Sequence, residues 1–316
     1  MRILISEPDG YSQKALEIYK SLGEVLADKK LERQELLDLV QDADILVIRL
    51  RHKIDGEVLG RAKKLKIIAC PTTGLDHIDL EMAKERGIAV VSLKGEIEFL
   101  NSITATAELA WGLLLGLVRK IPSAFNSVKA ERWDRDSFKG RELRGKTLGI
   151  IGCGRLGKII VQYGNAFLMD VLAYDPHIDH EEIEKAGAEA VTLEDLLKRS
   201  DAISIHVPLN SETENLIGEK EFNLMKLGVY IVNTSRGKVI DESVLLSALQ
   251  NGKIGGAALD VVTNEDANGK FLGDHPLLEY AKNSDNLLIV PHIGGATYDS
   301  MAKTEDFIAE KVKAKL

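Results

Sequence analysis

Residues 146–158, KTLGIIGCGRLGK, constrain the fold more than any other stretch: an apolar β-type run breaks on three glycines spaced G-x-G-x-x-G, and a helix-period segment follows. Gly152 permits the tight turn, Gly154 lets backbone approach a pyrophosphate, and Gly157 lets the helix pack on its strand. The helix N-terminus then turns its free N–H groups toward the phosphates. A second apolar run, 169–174, ends in Asp175, eighteen residues after Gly157. A carboxylate there accepts hydrogen bonds from ribose hydroxyls and repels a 2′-phosphate, so the expected cofactor is NAD rather than NADP.

Apolar β-runs alternate with helix-period segments along the rest of the chain, which favours parallel sheets covered on both faces. The first hundred residues predict strands at 2–6, 25–27, 45–48, 66–70 and 89–91, with helices near 12–22, 32–40 and 80–86. After a long apolar helix at 102–118, six more strands are expected at 147–151, 170–174, 202–206, 230–233, 257–260 and 287–290. The fold class is therefore α/β, with two doubly wound parallel-sheet domains, and 316 residues suffice for two cores. A last helix, 298–315, is expected to fold back on the first domain. This makes the nucleotide domain, 101–291, an insertion into a domain built from 1–100 and 292–316.

Composition excludes some partners. A net charge of -8 argues against nucleic acid. The N-terminal apolar run is too short for a signal peptide, and the apolar helix core at 109–118 is too short to span a bilayer, so no membrane partner is expected. Cys70 and Cys153, each at the end of an apolar strand, read as buried free thiols, and a cytoplasmic location follows.

Ligands of such sheets sit beyond the carboxyl ends of the strands, so the residues just after each strand are the candidates. Arg236 follows the strand at 230–233, Glu265 follows Asp260 at the end of the next, and His292 follows Pro291 at the end of the last. An arginine, an acid and a histidine thus share one rim of one sheet.

These residues resemble the D-isomer-specific 2-hydroxyacid dehydrogenase family. The similarity runs from about Ile45 to Met301, through GLDHID at 74–79, AEL at 107–109, ELRGKTLG at 142–149, HVPL at 206–209, NTSRG at 233–237 and PHIGGAT at 291–297. It implies a Rossmann NAD-binding domain inserted into a smaller, flavodoxin-like substrate domain, with Arg236, Glu265 and His292 as the catalytic trio. His292 would supply a proton to the carbonyl oxygen of a 2-keto acid, Glu265 would hold the other ring nitrogen, and Arg236 would offer parallel donors to the substrate. The family usually has proline after this glutamate. Asp266 stands here, which makes it a second candidate for the acid.

By the same resemblance, Asp260 would bind the nicotinamide carboxamide. Gly152, Gly154, Arg155, Leu156 and Gly157 would meet the pyrophosphate, and Asp175 and Pro176 the adenosine. His206, Val207, Pro208, Thr213, Thr234, Ser235, His292, Gly294 and Gly295 would complete the cofactor site, and no metal is implied. Thr73 and Gly74 match the family's carboxylate-binding loop, and Arg49, Leu50 and Arg236 complete the expected substrate contacts.

Four of the five residues 49–53, Arg49, Arg51, His52 and Lys53, are basic. They read either as a solvated turn or as an anion site for a phosphorylated substrate. The second reading is helped by WDRDSFKG at 133–140, which is similar to phosphoglycerate dehydrogenases, whereas Leu50 replaces a small polar residue common there. The C-terminal regulatory domain of some of those enzymes is not expected. The resemblance thus implies an NAD-dependent oxidoreductase acting on 3-phosphoglycerate or, alternatively, on glyoxylate, hydroxypyruvate or another small 2-keto acid. An NAD(H)-sensing, corepressor-like binding protein on the same scaffold is the remaining alternative. The apolar helix and the region of Trp133 resemble the family's dimerisation region, so a homodimer is expected. Closure about hinges near 94–101 and 291–295 is expected to bring Thr73 and Gly74 toward Arg236.

Overall fold

The computed structural model describes residues 1–265 and 274–316, and its chain divides into two compact units. Asp266 lies outside the described residues.

One unit joins Met1–Ile103 to Ala296–Leu316. Its strands are β1 (Arg2–Ile5), β2 (Glu24–Leu26), β3 (Ile45–Val47), β4 (Ile67–Cys70) and β5 (Ala89–Ser92). They form a parallel sheet in the order β2-β1-β3-β4-β5, the flavodoxin-like order. Apolar residues fill both faces in alternation: Leu4, Leu46 and Ile68 pack on one side, and Ile3, Ile5, Ile45, Val47 and Ile67 on the other. The second face is closed by helix Tyr298–Lys315, whose Ile308, Ala309 and Val312 join that cluster. Ser12 caps the helix Gln13–Leu22 beside it, accepting the Ala15 N–H. The expected hinge near 94–101 contains a short helix, Ile97–Leu100.

The other unit spans Thr104–Glu265 and 274–295. Its strands are β6 (Thr147–Ile151), β7 (Asp170–Tyr174), β8 (Glu189–Ala190), β9 (Ala202–Ile205), β10 (Val229–Asn233), β11 (Ile254–Leu259) and β12 (Leu287–Ile289). The parallel order is β12-β11-β10-β9-β6-β7-β8, with a reversal between β6 and β9 that opens the ligand crevice of a Rossmann sheet. The six-strand expectation is corrected to seven among the described residues. β8 has only two residues at the sheet edge, too few for a periodicity to register.

By length and composition alone the stretch Ile97–Val118 could cross a membrane, but it holds two helices, Ile97–Leu100 and Ala105–Val118, the longer of 14 residues. Helix Ala105–Val118 instead buries Ala107, Ala110, Leu113, Leu114, Leu117 and Val118 in a core shared with the sheet. Its uniform apolarity is that of a helix covered on most sides. Residues 292–295 fall with this unit, where the backbone N–H groups of Ile293 and Gly294 donate to Asp260.

Candidate active site

The nucleotide turn is built by β6 running into helix Arg155–Ala166. Gly152 sits at φ +91°, a backbone that side chains rarely adopt. A Cβ on Gly157 would stand 2.1 Å from the Gly152 carbonyl oxygen, so strand and helix approach to a distance only glycine allows. Gly154 differs: a Cβ there would meet nothing within 4 Å. That open space lies over the helix N-terminus, where a pyrophosphate would take the free N–H groups.

Asp175 closes the turn from β7. One carboxylate oxygen accepts the Cys153 N–H and the other the His177 N–H, each at 2.9 Å. With Tyr174 and Pro176 it lines a cavity of about 490 Å³ whose far wall includes His180 and Thr192. His206 Nε2 lies 2.7 Å from the Ser204 hydroxyl, and burial pulls the imidazole down to about 4, so the ring is neutral near pH 7. Thr213 donates its hydroxyl to the Pro208 carbonyl at 2.5 Å. Beyond β10, Asn233 accepts both the N–H and the hydroxyl of Ser235, while the buried Thr234 hydroxyl has no partner among the described residues. Open space at Gly154, an orphaned hydroxyl at Thr234 and a carboxylate at Asp175 together suit a dinucleotide.

Glu265 and His292 meet at the ends of β11 and β12. His292 Nδ1 donates to Glu265 Oε1 at 2.7 Å, because a carboxylate only accepts. The bond leaves Nε2 for other work, and it holds the imidazole above its ordinary range against burial and the Arg236 charge. His292 adopts φ +52°, uncommon for a side-chain-bearing residue. Its backbone N–H donates to the Asp260 carbonyl at 2.9 Å, which holds the conformation. Asp260 is itself buried, and burial pushes its carboxyl up, offset in part by the N–H groups of Ile293 and Gly294 at 2.6 and 2.9 Å. Arg236 follows β10 and donates to the Ser235 carbonyl at 2.8 Å.

Arg49, Leu50, Thr73 and Gly74 belong to the other unit. Thr72 donates its hydroxyl to the Gly74 carbonyl at 2.8 Å, shaping the turn after β4. The basic stretch 49–53 is not a solvated turn: Arg51 and His52 are buried. Arg49 donates through Nε to Glu305 at 2.8 Å and through Nη1 to the Asp9 carbonyl at 3.0 Å, and its guanidinium lies over the Tyr11 ring. Arg51 pairs with Glu32 at 2.5 Å.

Three residues with visible structural roles escape sequence reading. Glu305 is almost fully buried beside Arg49, and burial raises its carboxyl. The available signal was its place on the apolar stripe with Ile308, Ala309 and Val312, where a charged residue needs a partner. Glu242 and His275 grip the loop before Glu265, and nothing in their sequence neighbourhoods marks them.

Comparisons with known proteins identify the family. The model of the family "D-isomer specific 2-hydroxyacid dehydrogenase, NAD binding domain" matches residues 111–294. D-3-phosphoglycerate dehydrogenases of Methanocaldococcus jannaschii and Archaeoglobus fulgidus are 41% and 40% identical over 99% of this chain, and the matches cover 57% and 56% of those proteins. The chain therefore spans a little over half the length of these curated relatives. A crystal structure of Aquifex aeolicus D-lactate dehydrogenase with NAD and lactic acid superposes with a TM-score of 0.83 at 32% identity, covering all of this chain and 95% of that one.

Proposed function

The chain belongs to the D-isomer-specific 2-hydroxyacid dehydrogenase family, and from that premise we propose that it transfers a hydride between NAD and a D-2-hydroxy acid or the matching 2-keto acid. The observation that carries this reading is the 2.7 Å bond between His292 Nδ1 and Glu265 beside Arg236. When bound, the nicotinamide supplies or accepts the hydride. During reduction His292 gives a proton from Nε2 to the carbonyl oxygen, which gathers negative charge, and during oxidation the same nitrogen removes it. Glu265 keeps the imidazolium stable and the ring oriented, Arg236 binds the substrate carboxylate and carbonyl oxygens, and Asp260 holds the backbone of 292–294. Asp175 favours NADH over NADPH.

Two substrate readings have support. The names of the relatives and the pair Arg49 and Arg51 favour 3-phosphoglycerate. The compensation of those guanidinium groups by Glu305 and Glu32 favours a small unphosphorylated acid such as glyoxylate or hydroxypyruvate. Comparing 3-phosphohydroxypyruvate, hydroxypyruvate and glyoxylate with NADH and NADPH separates them. The expected result is turnover with at least one acid and a higher kcat/KM with NADH. No turnover with any 2-keto acid by a protein that still binds NADH would refute the dehydrogenase reading.

The protein is also proposed to be a cytoplasmic homodimer. Helix Ile121–Lys129 exposes Ile121, Phe125 and Val128 along one stripe, and Trp133 is 90% exposed nearby, a patch that a second copy would cover. Light scattering at micromolar concentration should give twice the chain mass; a monomeric mass excludes the dimer. Two buried free cysteines and a net charge of -8 support a reducing compartment and small-molecule partners.

A further inference from the structure

The loop that carries Glu265 is held by two residues to which the proposed reaction assigns nothing. Glu242 opens helix Glu242–Gln250, but Asp241 already caps that helix by accepting the N–H groups of Ser243 and Val244. The Glu242 carboxylate turns instead to Thr263: Oε1 accepts its N–H at 2.6 Å and Oε2 accepts its hydroxyl. His275 completes the grip, with Nε2 3.2 Å from the Thr263 carbonyl and 3.3 Å from Glu242 Oε2. Both neighbours are acceptors, so Nε2 carries the proton. The N–H, carbonyl and hydroxyl of Thr263 are thereby all engaged. Both gripping side chains are largely shielded from water, 14% exposed for Glu242 and 12% for His275.

The grip lies two residues from Glu265. Between them Asn264 adopts φ +57°, which reverses the chain. Behind them Gly237, next to Arg236, approaches so closely that a Cβ would stand 2.2 Å from the Val262 carbonyl carbon. With Val262 backed and Thr263 held, little freedom remains in where the Glu265 carboxylate points. We infer that Glu242 and His275 are positioning residues that fix Thr263 and thereby seat Glu265 on Nδ1 of His292, an inference resting on the reading of those two as the proton-transfer pair.

The test is the titration of the His292 imidazole followed by NMR in protein without substrate, its signal among the seven histidines assigned by loss in His292→Asn. Charged groups acting on His292 are Glu265, Asp260 and Arg236, and every test variant leaves all three in place. Glu242→Gln turns an amide toward the Thr263 donors. It is expected to lower the His292 midpoint by about half a unit or more, since a displaced carboxylate no longer favours the charged ring. In turnover, the high-pH limb of kcat/KM for reduction moves down with it, while NADH affinity is unchanged. His275→Leu is expected to shift the midpoint in the same direction, and His275→Gln, which keeps a donor near Nε2, to restore it. Should Glu242→Gln not fold, Thr263→Val removes one of the same bonds and reads the same effect. A wild-type midpoint in His275→Leu and in a folded Glu242→Gln or Thr263→Val protein would overturn the inference. The titration needs no turnover, so this failure is distinct from the wild-type protein lacking dehydrogenase activity.

Discussion

Replacing His292 with asparagine is expected to lower kcat for reduction of a 2-keto acid by about 10²–10⁴-fold, the usual worth of a general acid, while NADH binds as before. Asparagine is the informative replacement because His292 sits at φ +52°, a conformation that asparagine tolerates far better than other side chains. The loop should therefore keep its shape, and the loss should report the missing proton donor. Stopped-flow reduction with saturating NADH and fluorescence titration of NADH measure the two quantities; near-normal turnover would remove His292 from the mechanism.

The same imidazole sets the pH dependence. Its pKa is raised, first by the hydrogen bond to Glu265 and then by the charges of Glu265 and Asp260, against burial and Arg236. Reduction requires the protonated ring, so kcat/KM for the keto acid should fall as pH rises through a midpoint above the ordinary imidazole range. Oxidation requires the neutral ring and should rise over the same interval. Glu265→Gln removes the largest cause of the elevation, so both limbs should move to lower pH. An unmoved profile would show that another group governs the titration.

Gly157→Ala is the second large effect. Its Cβ would lie 2.1 Å from the Gly152 carbonyl oxygen, a backbone atom that cannot step aside without shifting the turn. Overpacking of this kind costs about 1–3 kcal/mol or more, and in a unit of this size each kcal/mol lowers the melting temperature by about 2–4 °C. NADH affinity should fall at least about tenfold, since the helix N–H groups lose their aim at the phosphates. Gly154→Ala isolates the second effect, because its Cβ meets only open space and its φ of -69° suits alanine. It should melt normally yet bind NADH weakly. If Gly157→Ala melts and binds like wild type, the close approach at the turn is not what fixes this site.

The two parallel sheets and the nucleotide turn were legible because their causes are local. Alternating Ile and Leu declare a buried strand, and glycine spacing declares a turn that only glycine can make. The acid, arginine and histidine at strand ends were legible once strand order was assumed. Partners set by long-range approach were not: Glu305 reaches Arg49 across 256 positions, and Glu242 reaches Thr263 across 21. The edge strand β8, two residues long, left too short a trace. The basic run at 49–53 read in sequence as either a solvated turn or an anion site, whereas the buried Glu305 and the exposed Glu32, neither of them near it in sequence, pair with two of its charges.

The core shared by Ile3, Ile5, Ile45 and Val47 with Ile308, Ala309 and Val312 also imposes an order on synthesis. The residues of the first sheet leave the ribosome roughly two hundred residues, or about 10–40 s, before the helix that closes them. During that interval Tyr19 and the apolar face of the sheet lack their cover, and Arg49 waits for its carboxylate. The inserted unit, Thr104 onward, meanwhile contains its own complete sheet and can fold first. A nascent chain is therefore most exposed to chaperones and proteases at the strands of this sheet, which are made long before the helix that covers them.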